Sequence, residues 1–127
     1  MEVDKPEVLR EVNAACDRYE EALMSNDLDT LDALFFDAPQ TLRYGVGENL
    51  YGIDEIRAFR LARPGGSPSR RVLKRVVSSF GDDFATSNLE FQREGSDKIG
   101  RQSQTWLRTD EGWRIVAAHV SLIGSSH

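Results

Sequence analysis

The sequence predicts an α+β fold in which three N-terminal helices pack on one face of a curved, mostly antiparallel sheet. Three observations lead there. Between Leu9 and Phe35, apolar residues recur at steps of three and four, the period of a helix face. The second half holds four long alternating stretches, 70–80, 84–94, 99–109 and 112–123. They are joined by Gly81-Asp82-Asp83, Glu94-Gly95-Ser96-Asp97 and Asp110-Glu111-Gly112, all good turn chemistry, so they must be consecutive antiparallel neighbours. Between the halves lies only Arg63-Pro64-Gly65-Gly66-Ser67-Pro68-Ser69, a loop too short to link domains. A chain of 127 residues can build one sizeable core, so a single domain over 1–127 is expected.

In chain order, Asp4-Lys5-Pro6-Glu7 starts a helix, with Asp4 as cap and Pro6 in the first turn. Leu9, Val12, Cys16, Tyr19 and Leu23 form its apolar stripe, and it ends near Ser25. Tyr19 thus lies in the buried stripe, either as a core residue bonded to a backbone carbonyl or as a phenol facing a cavity. Ser25-Asn26-Asp27 breaks this helix and caps a second one carrying Leu28, Leu31, Leu34 and Phe35, which stops before Pro39. Thr41–Gly52 then reads as a hairpin: Leu42 and Tyr44 alternate with Thr41 and Arg43, and Gly45 and Gly47 bracket the turn. A third helix follows with Ile53, Ile56 and Phe59 inward. Asp54 and Glu55 sit in its first turn, where the helix dipole favours anions without any catalytic role. The stretch Trp113–Leu122 is the most apolar strand and should lie centrally.

Composition excludes several classes. The net charge of −5 disfavours nucleic acid and anionic membranes as partners. No apolar run reaches transmembrane length and no signal-peptide pattern opens the chain. The lone Cys16 suits a reducing cytoplasm, and two distant histidines without a Cys/His cluster argue against a zinc site. No phosphate-binding loop or dinucleotide fingerprint is present, so no metal or organic cofactor is expected.

The element order and the closing run Gly112-Trp113-Arg114-Ile115-Val116 with His119-Val120-Ser121 resemble the cone-shaped NTF2/SnoaL-like superfamily, which includes nuclear transport factor 2, SnoaL-type cyclases and ketosteroid isomerase. Four runs are similar to one branch, the AtzH-like proteins with their HpxZ-like relatives. They are Tyr19-Glu20-Glu21-Ala22-Leu23 with Ser25-Asn26-Asp27, the run from Leu42 to Arg60, Phe80-Gly81-Asp82-Asp83-Phe84-Ala85, and Ile99-Gly100-Arg101-Gln102-Ser103-Gln104-Thr105-Trp106. This resemblance spans nearly the whole chain. It implies a cytoplasmic enzyme that converts 1,3-dicarboxyurea to allophanate with loss of carbon dioxide in s-triazine degradation. The alternatives are an HpxZ-like protein of oxalurate catabolism, or a non-catalytic partner that binds an amidohydrolase through its sheet face.

The same resemblance singles out Arg43 as carboxylate clamp and Tyr19 as proton donor. A guanidinium offers a rigid, permanently charged fork to a carboxylate, and a phenol can donate a proton beside a cation or apolar wall. From the residues alone, Arg43 reads equally well as an exposed strand arginine or one paired with Asp54 or Glu55. Gln102, Gln104 and Trp106 share one face of their strand, and Arg101, Ser103 and Thr105 the other. The first set is assigned to the cavity, and the opposite parity would bring in Arg101 and Ser103. Arg71 and Arg75 share a face, and Arg71 is taken as a second carboxylate contact. His119 shares a face with Ile115, Ala117 and Ser121, either as a satisfied core residue or facing the substrate. The outer sheet face needs a cover, so a homodimer is expected, with a tetramer as the alternative.

Overall fold

The computed structural model describes residues 1–124. Helix α1 spans Pro6–Ser25 and α2 spans Leu28–Leu34. Strands β1 (Leu42–Tyr44) and β2 (Asn49–Tyr51) form the short hairpin, and α3 (Ile53–Ala62) follows it. The third helix therefore comes after the first two strands rather than in an unbroken N-terminal helical block. Strands β3 (Arg70–Phe80), β4 (Phe84–Arg93), β5 (Ile99–Thr109) and β6 (Gly112–Ile123) make the meander. All six strands join one sheet in the order β2-β1-β6-β5-β4-β3. Strand β6 is internal, as its apolar sequence requires. Its partner β1 runs parallel to it, while the other strand pairings among the described residues are antiparallel.

The helix boundaries follow local chemistry, with one difference. Asp27 caps α2 through its carboxylate, which accepts from the Thr30 N–H at 3.2 Å. Asp4 does not cap α1. Its carboxylate accepts from Ser79 N at 2.9 Å and its own N–H donates to the Ser79 carbonyl, so the N-terminal segment is tied to β3 instead.

The helices cover one face of the sheet only. Val8, Val12, Ala15 and Tyr19 of α1 pack with Leu31, Leu34, Phe35, Ile53 and Ile56 against Ala85, Trp106, Trp113 and Ile115. Fully burying side chains of this size stabilises by roughly 1.5–3 kcal/mol each. No helix is long and apolar enough to cross a membrane among the described residues.

Two bulges decide which side chains reach the helix-covered face. In β3, Val72 pairs with Phe91 and Lys74 with Glu90, leaving Leu73 as an extra residue. In β6, Ile115 pairs with Trp106 and Ala117 with Thr105, leaving Val116 extra. An extra residue reverses the inside–outside alternation beyond it. Arg70, before the first bulge, and Arg75, after it, therefore share the inner face. Ile115 points inward, whereas Ala117, His119 and Ser121 point outward.

Candidate functional site

A pocket opens between α1, α3, the β1–β2 hairpin and the inner face of β4–β6. Its enclosed part is small, about 30 Å³, and it widens into solvent at the mouth. Leu23, Leu50, Ile56, Phe59 and Val120 form its apolar wall, and Tyr19 and Gln102 its polar floor. Five arginines complete the lining: Arg43, Arg60, Arg63, Arg70 and Arg93. Such a density of one charge in a small space is the dominant chemical fact of the site.

The five arginines arrive from four elements. Arg43 stands on β1 opposite Leu50 and beside Ala118, whose inward direction it shares. Arg60 in the last turn of α3 and Arg63 at its C-cap both line the pocket. Arg63 lies 4.8 Å over the Phe59 ring. Arg70 opens β3 opposite Arg93, the last residue of β4, and both guanidinium groups lie over Phe91, at 4.2 and 5.9 Å. Phe91 is fully buried, and its ring fits only because Gly100 on β5 has no side chain; a Cβ there would overlap it.

Three of the five arginines are neutralised by carboxylates of the chain. Arg43 Nη1 donates to Glu48 Oε2 at 2.8 Å. Arg60 Nη1 donates to Asp32 Oδ1 at 2.6 Å. Arg70 donates through Nε and Nη2 to the two Glu20 oxygens at 2.8 and 2.7 Å, and also reaches Gln102 Oε1 at 3.2 Å. Arg63 and Arg93 have no carboxylate within 4.0 Å among the described residues. Burial first, then neighbouring cations, lowers both guanidinium pKa values from the ordinary range: chiefly Arg43 acts on Arg63, and Arg70 on Arg93. Both groups stay charged, because an arginine side chain is not deprotonated in a protein.

Tyr19 is 4% exposed, and its ring meets Phe35 edge-on at 6.4 Å. Its hydroxyl has no hydrogen-bond partner among the described residues, and the side chain lines both this pocket and the recess behind it. Behind Tyr19 and Gln102 lies a smaller recess lined also by Cys16, Ser87 and Gln104. There Trp106 Nε1 donates to Ser87 Oγ at 3.0 Å, and Ser87 Oγ donates to Gln104 Oε1 at 3.3 Å. Burial pushes the Cys16 thiol pKa up, opposed by its hydrogen bond with Ser87.

The structure brings together Tyr19, Arg43 and Gln102 of the residues proposed from sequence. The chosen parity of β5 holds: Gln102, Gln104 and Trp106 are buried and Arg101 and Ser103 exposed. Gln104, however, lines the recess rather than the main pocket, and Trp106 is fully buried core. Arg71 points outward and donates to Gln92 at 3.2 Å; Arg70 occupies the inner position, and the bulge at Leu73 breaks the alternation counted from Arg75. His119 is exposed on the outer face with its ring 5.6 Å from Tyr44, because the bulge at Val116 separates it from the face of Ile115. Arg43 has an ion-pair partner, but it is Glu48. Glu55 instead accepts from Tyr51 N at 2.8 Å at the start of α3.

Sequence reasoning missed Arg60, Arg63, Arg70, Arg93 and Glu48. Two faint signals existed. Arg60 and Arg63 share a helical side by their spacing of three, and Arg93 continues the inward alternation of Leu89 and Phe91.

A family model described as AtzH-like matches residues 1–126. Among solved structures, a protein of unknown function from the DUF3225 family of Pectobacterium atrosepticum is 56% identical, with 96% of this chain and 95% of that chain covered and a TM-score of 0.93. A cystatin-like fold protein from Burkholderia xenovorans is 45% identical over 99% of both chains, with a TM-score of 0.95. An NTF2-like protein of unknown function from Pseudomonas putida, 14% identical over 88% of this chain and 84% of that one, shares the fold at a TM-score of 0.73. No curated protein matches the chain.

Proposed function

From the premise that the chain belongs to the AtzH-like family, we propose that it is a cofactor-independent decarboxylase of a small ureido dicarboxylate, converting 1,3-dicarboxyurea to allophanate and carbon dioxide in s-triazine degradation. The observation that carries this reading is the joint lining of one arginine-rich pocket by the partnerless Tyr19 hydroxyl and the Arg43 guanidinium. The cations of such a pocket suit an anionic substrate, and a phenol in the lining suits proton delivery.

The step balances as follows. The nitrogen that bears the departing carboxylate takes a proton from the Tyr19 hydroxyl. The bond between that nitrogen and the carboxylate carbon breaks, its electron pair stays on nitrogen, and carbon dioxide leaves. The phenolate regains a proton from water, so one proton is consumed for each carbon dioxide released. The wall of Leu23, Leu50, Ile56 and Phe59 favours a neutral product over a carboxylate at the same place. Gln102 can donate to or accept from a ureido group through its amide.

The outer sheet face supports a proposal of its own. Leu73, Val76, Phe84 and Ile123 are between 40% and 47% exposed there, and no element among the described residues covers them. We assign this face to a second copy in a homodimer, with a pathway amidohydrolase as the competing occupant.

The test is carbon dioxide release from freshly generated 1,3-dicarboxyurea above its spontaneous decay, with Arg43→Ala and Tyr19→Phe alongside. Acceleration by the wild type that both variants lose is expected. A folded wild type that does not accelerate the reaction sinks the proposal.

A further inference from the structure

We infer that the pocket selects its ligand by charge number, taking dianions over monoanions, and that Arg63 and Arg93 are the residues that make this selection. The inference rests on the pocket being the substrate site, as proposed above, and deepens that reading.

The ground is the charge inventory. Glu48, Asp32 and Glu20 each hold one arginine, at 2.8, 2.6 and 2.7 Å. Arg63 and Arg93 remain, held over aromatic rings rather than against carboxylates. Both also line a second cavity with Arg43, Glu48 and Val120, which shares these three arginines and Val120 with the pocket. Two uncompensated positive charges in a partly desolvated space are costly, and each raises the cost of the other. Burial first, and then the cations around it, lowers each guanidinium pKa, and Glu48 only partly opposes this from its place against Arg43. A ligand with two negative charges brings the site to neutrality; a monoanion leaves one cation unmatched.

This inventory separates the two substrates that the family resemblance implies. 1,3-Dicarboxyurea carries a carboxylate at each end and is a dianion at neutral pH. Oxalurate has the same planar ureido character but ends in an amide, and is a monoanion. The two free arginines favour the first. The proposed reaction also lowers the charge: allophanate carries one carboxylate, so the product binds a site that again has an unmatched cation. Charge loss during turnover thus weakens the hold on product relative to substrate.

Arg43 is not the selecting residue on this account. Glu48 already neutralises it, so Arg43 can orient one end of a ligand without reporting how many charges the ligand has. The loop 64–69, which joins Arg63 to Arg70, contributes Ser67 to the lining, so selection and access share one segment of chain.

The test uses malonate and its monoamide malonamate, which share a skeleton and differ by one charge. Calorimetric titration at neutral pH is run on the full-length wild type, Arg63→Gln, Arg93→Gln and, as an outer-face control, Arg101→Gln. Wild type should bind malonate about tenfold or more tightly than malonamate, the scale of one charge-assisted hydrogen bond. Arg63→Gln and Arg93→Gln should each lower malonate affinity by a similar factor and narrow the difference between the two ligands. Arg101→Gln should match wild type. Without ligand, Arg63→Gln and Arg93→Gln should melt no lower than wild type, since each relieves repulsion. Equal binding of the two ligands, no saturable malonate binding, or malonate affinities in both variants equal to the Arg101→Gln control would overturn the inference. A fall in melting temperature in both variants would also overturn it, by making these arginines structural. Charge-selective binding without carbon dioxide release would refute the reaction and leave the selection standing; decarboxylation with charge-blind binding would do the reverse.

Discussion

Replacing Glu20 by alanine should strand a buried cation, and the cost can be worked from the geometry. The Arg70 side chain is 4% exposed and that of Glu20 18%, so little water screens the pair. Two parallel N–H···O bonds at 2.8 and 2.7 Å join them. Removing one partner of such a pair leaves the other charge desolvated and unmatched, which costs about 3–5 kcal/mol. That is a large share of the ~5–15 kcal/mol that holds a typical domain together. The internal control is Asp17→Ala, which breaks the Arg75–Asp17 pair one turn earlier on α1. Asp17 is 69% exposed, so the loss there should stay within about 1 kcal/mol. Urea unfolding monitored by fluorescence gives both numbers, provided the dependence on denaturant is unchanged. Added malonate should restore more stability to Glu20→Ala than to wild type, because it binds the folded state and a third pocket arginine now lacks a partner. If Glu20→Ala and Asp17→Ala cost the same, within about 1 kcal/mol, burial does not govern these pairs and the reasoning is refuted.

Two further outcomes follow from the same inventory. At Gly45 an added Cβ would overlap the Glu48 carboxyl, while the backbone there has no left-handed φ to oppose alanine. Gly45→Ala should therefore push Glu48 off Arg43 and raise malonate affinity severalfold, as Glu48→Gln does directly; calorimetric affinities unchanged in both variants would contradict the pairing. The Cys16 thiol pKa is raised in the folded state, so the stability linked to it is fully present below the ordinary value of 9.0 and is lost as pH rises through the higher folded-state value. Unfolding free energy measured from pH 8 upward should fall more steeply in wild type than in Cys16→Ala, and parallel curves would refute the assignment.

The fold was legible because its signals are local. Turn residues at Gly81-Asp82-Asp83 and Asp110-Glu111-Gly112 bound the strands almost to the residue, and the 3,4 spacing of Val12, Cys16 and Tyr19 marks a helix without tertiary context. The bulges were not legible. Nothing in Arg71-Val72-Leu73-Lys74 or Ile115-Val116-Ala117 announces an extra residue, yet each inverts every side chain beyond it. That single effect exchanged Arg71 for Arg70 in the pocket and sent His119 to the outer face. Tyr19 and Arg43 escaped because neither lies beyond a bulge.

The pocket's cations were hidden for a different reason. Arg63 and Arg93 are thirty positions apart, at the ends of a helix and a strand, and come to line one cavity only through the tertiary fold. The net charge of −5 disfavours nucleic acid and anionic membranes, yet says nothing of a small anion. The average excludes long polyanions, which need a broad cationic surface. It does not constrain a small one, because binding at close range is set by charges within a Debye length and by the dielectric between them. Here five of the thirteen arginines line one recess, and two of them have no carboxylate partner within 4.0 Å among the described residues. The acidic exterior slows the approach of an anion at low salt, whereas the recess sets how firmly it is held. Raising ionic strength should therefore speed association of malonate while weakening its final affinity, opposite signs that a uniformly acidic or uniformly basic protein would not produce.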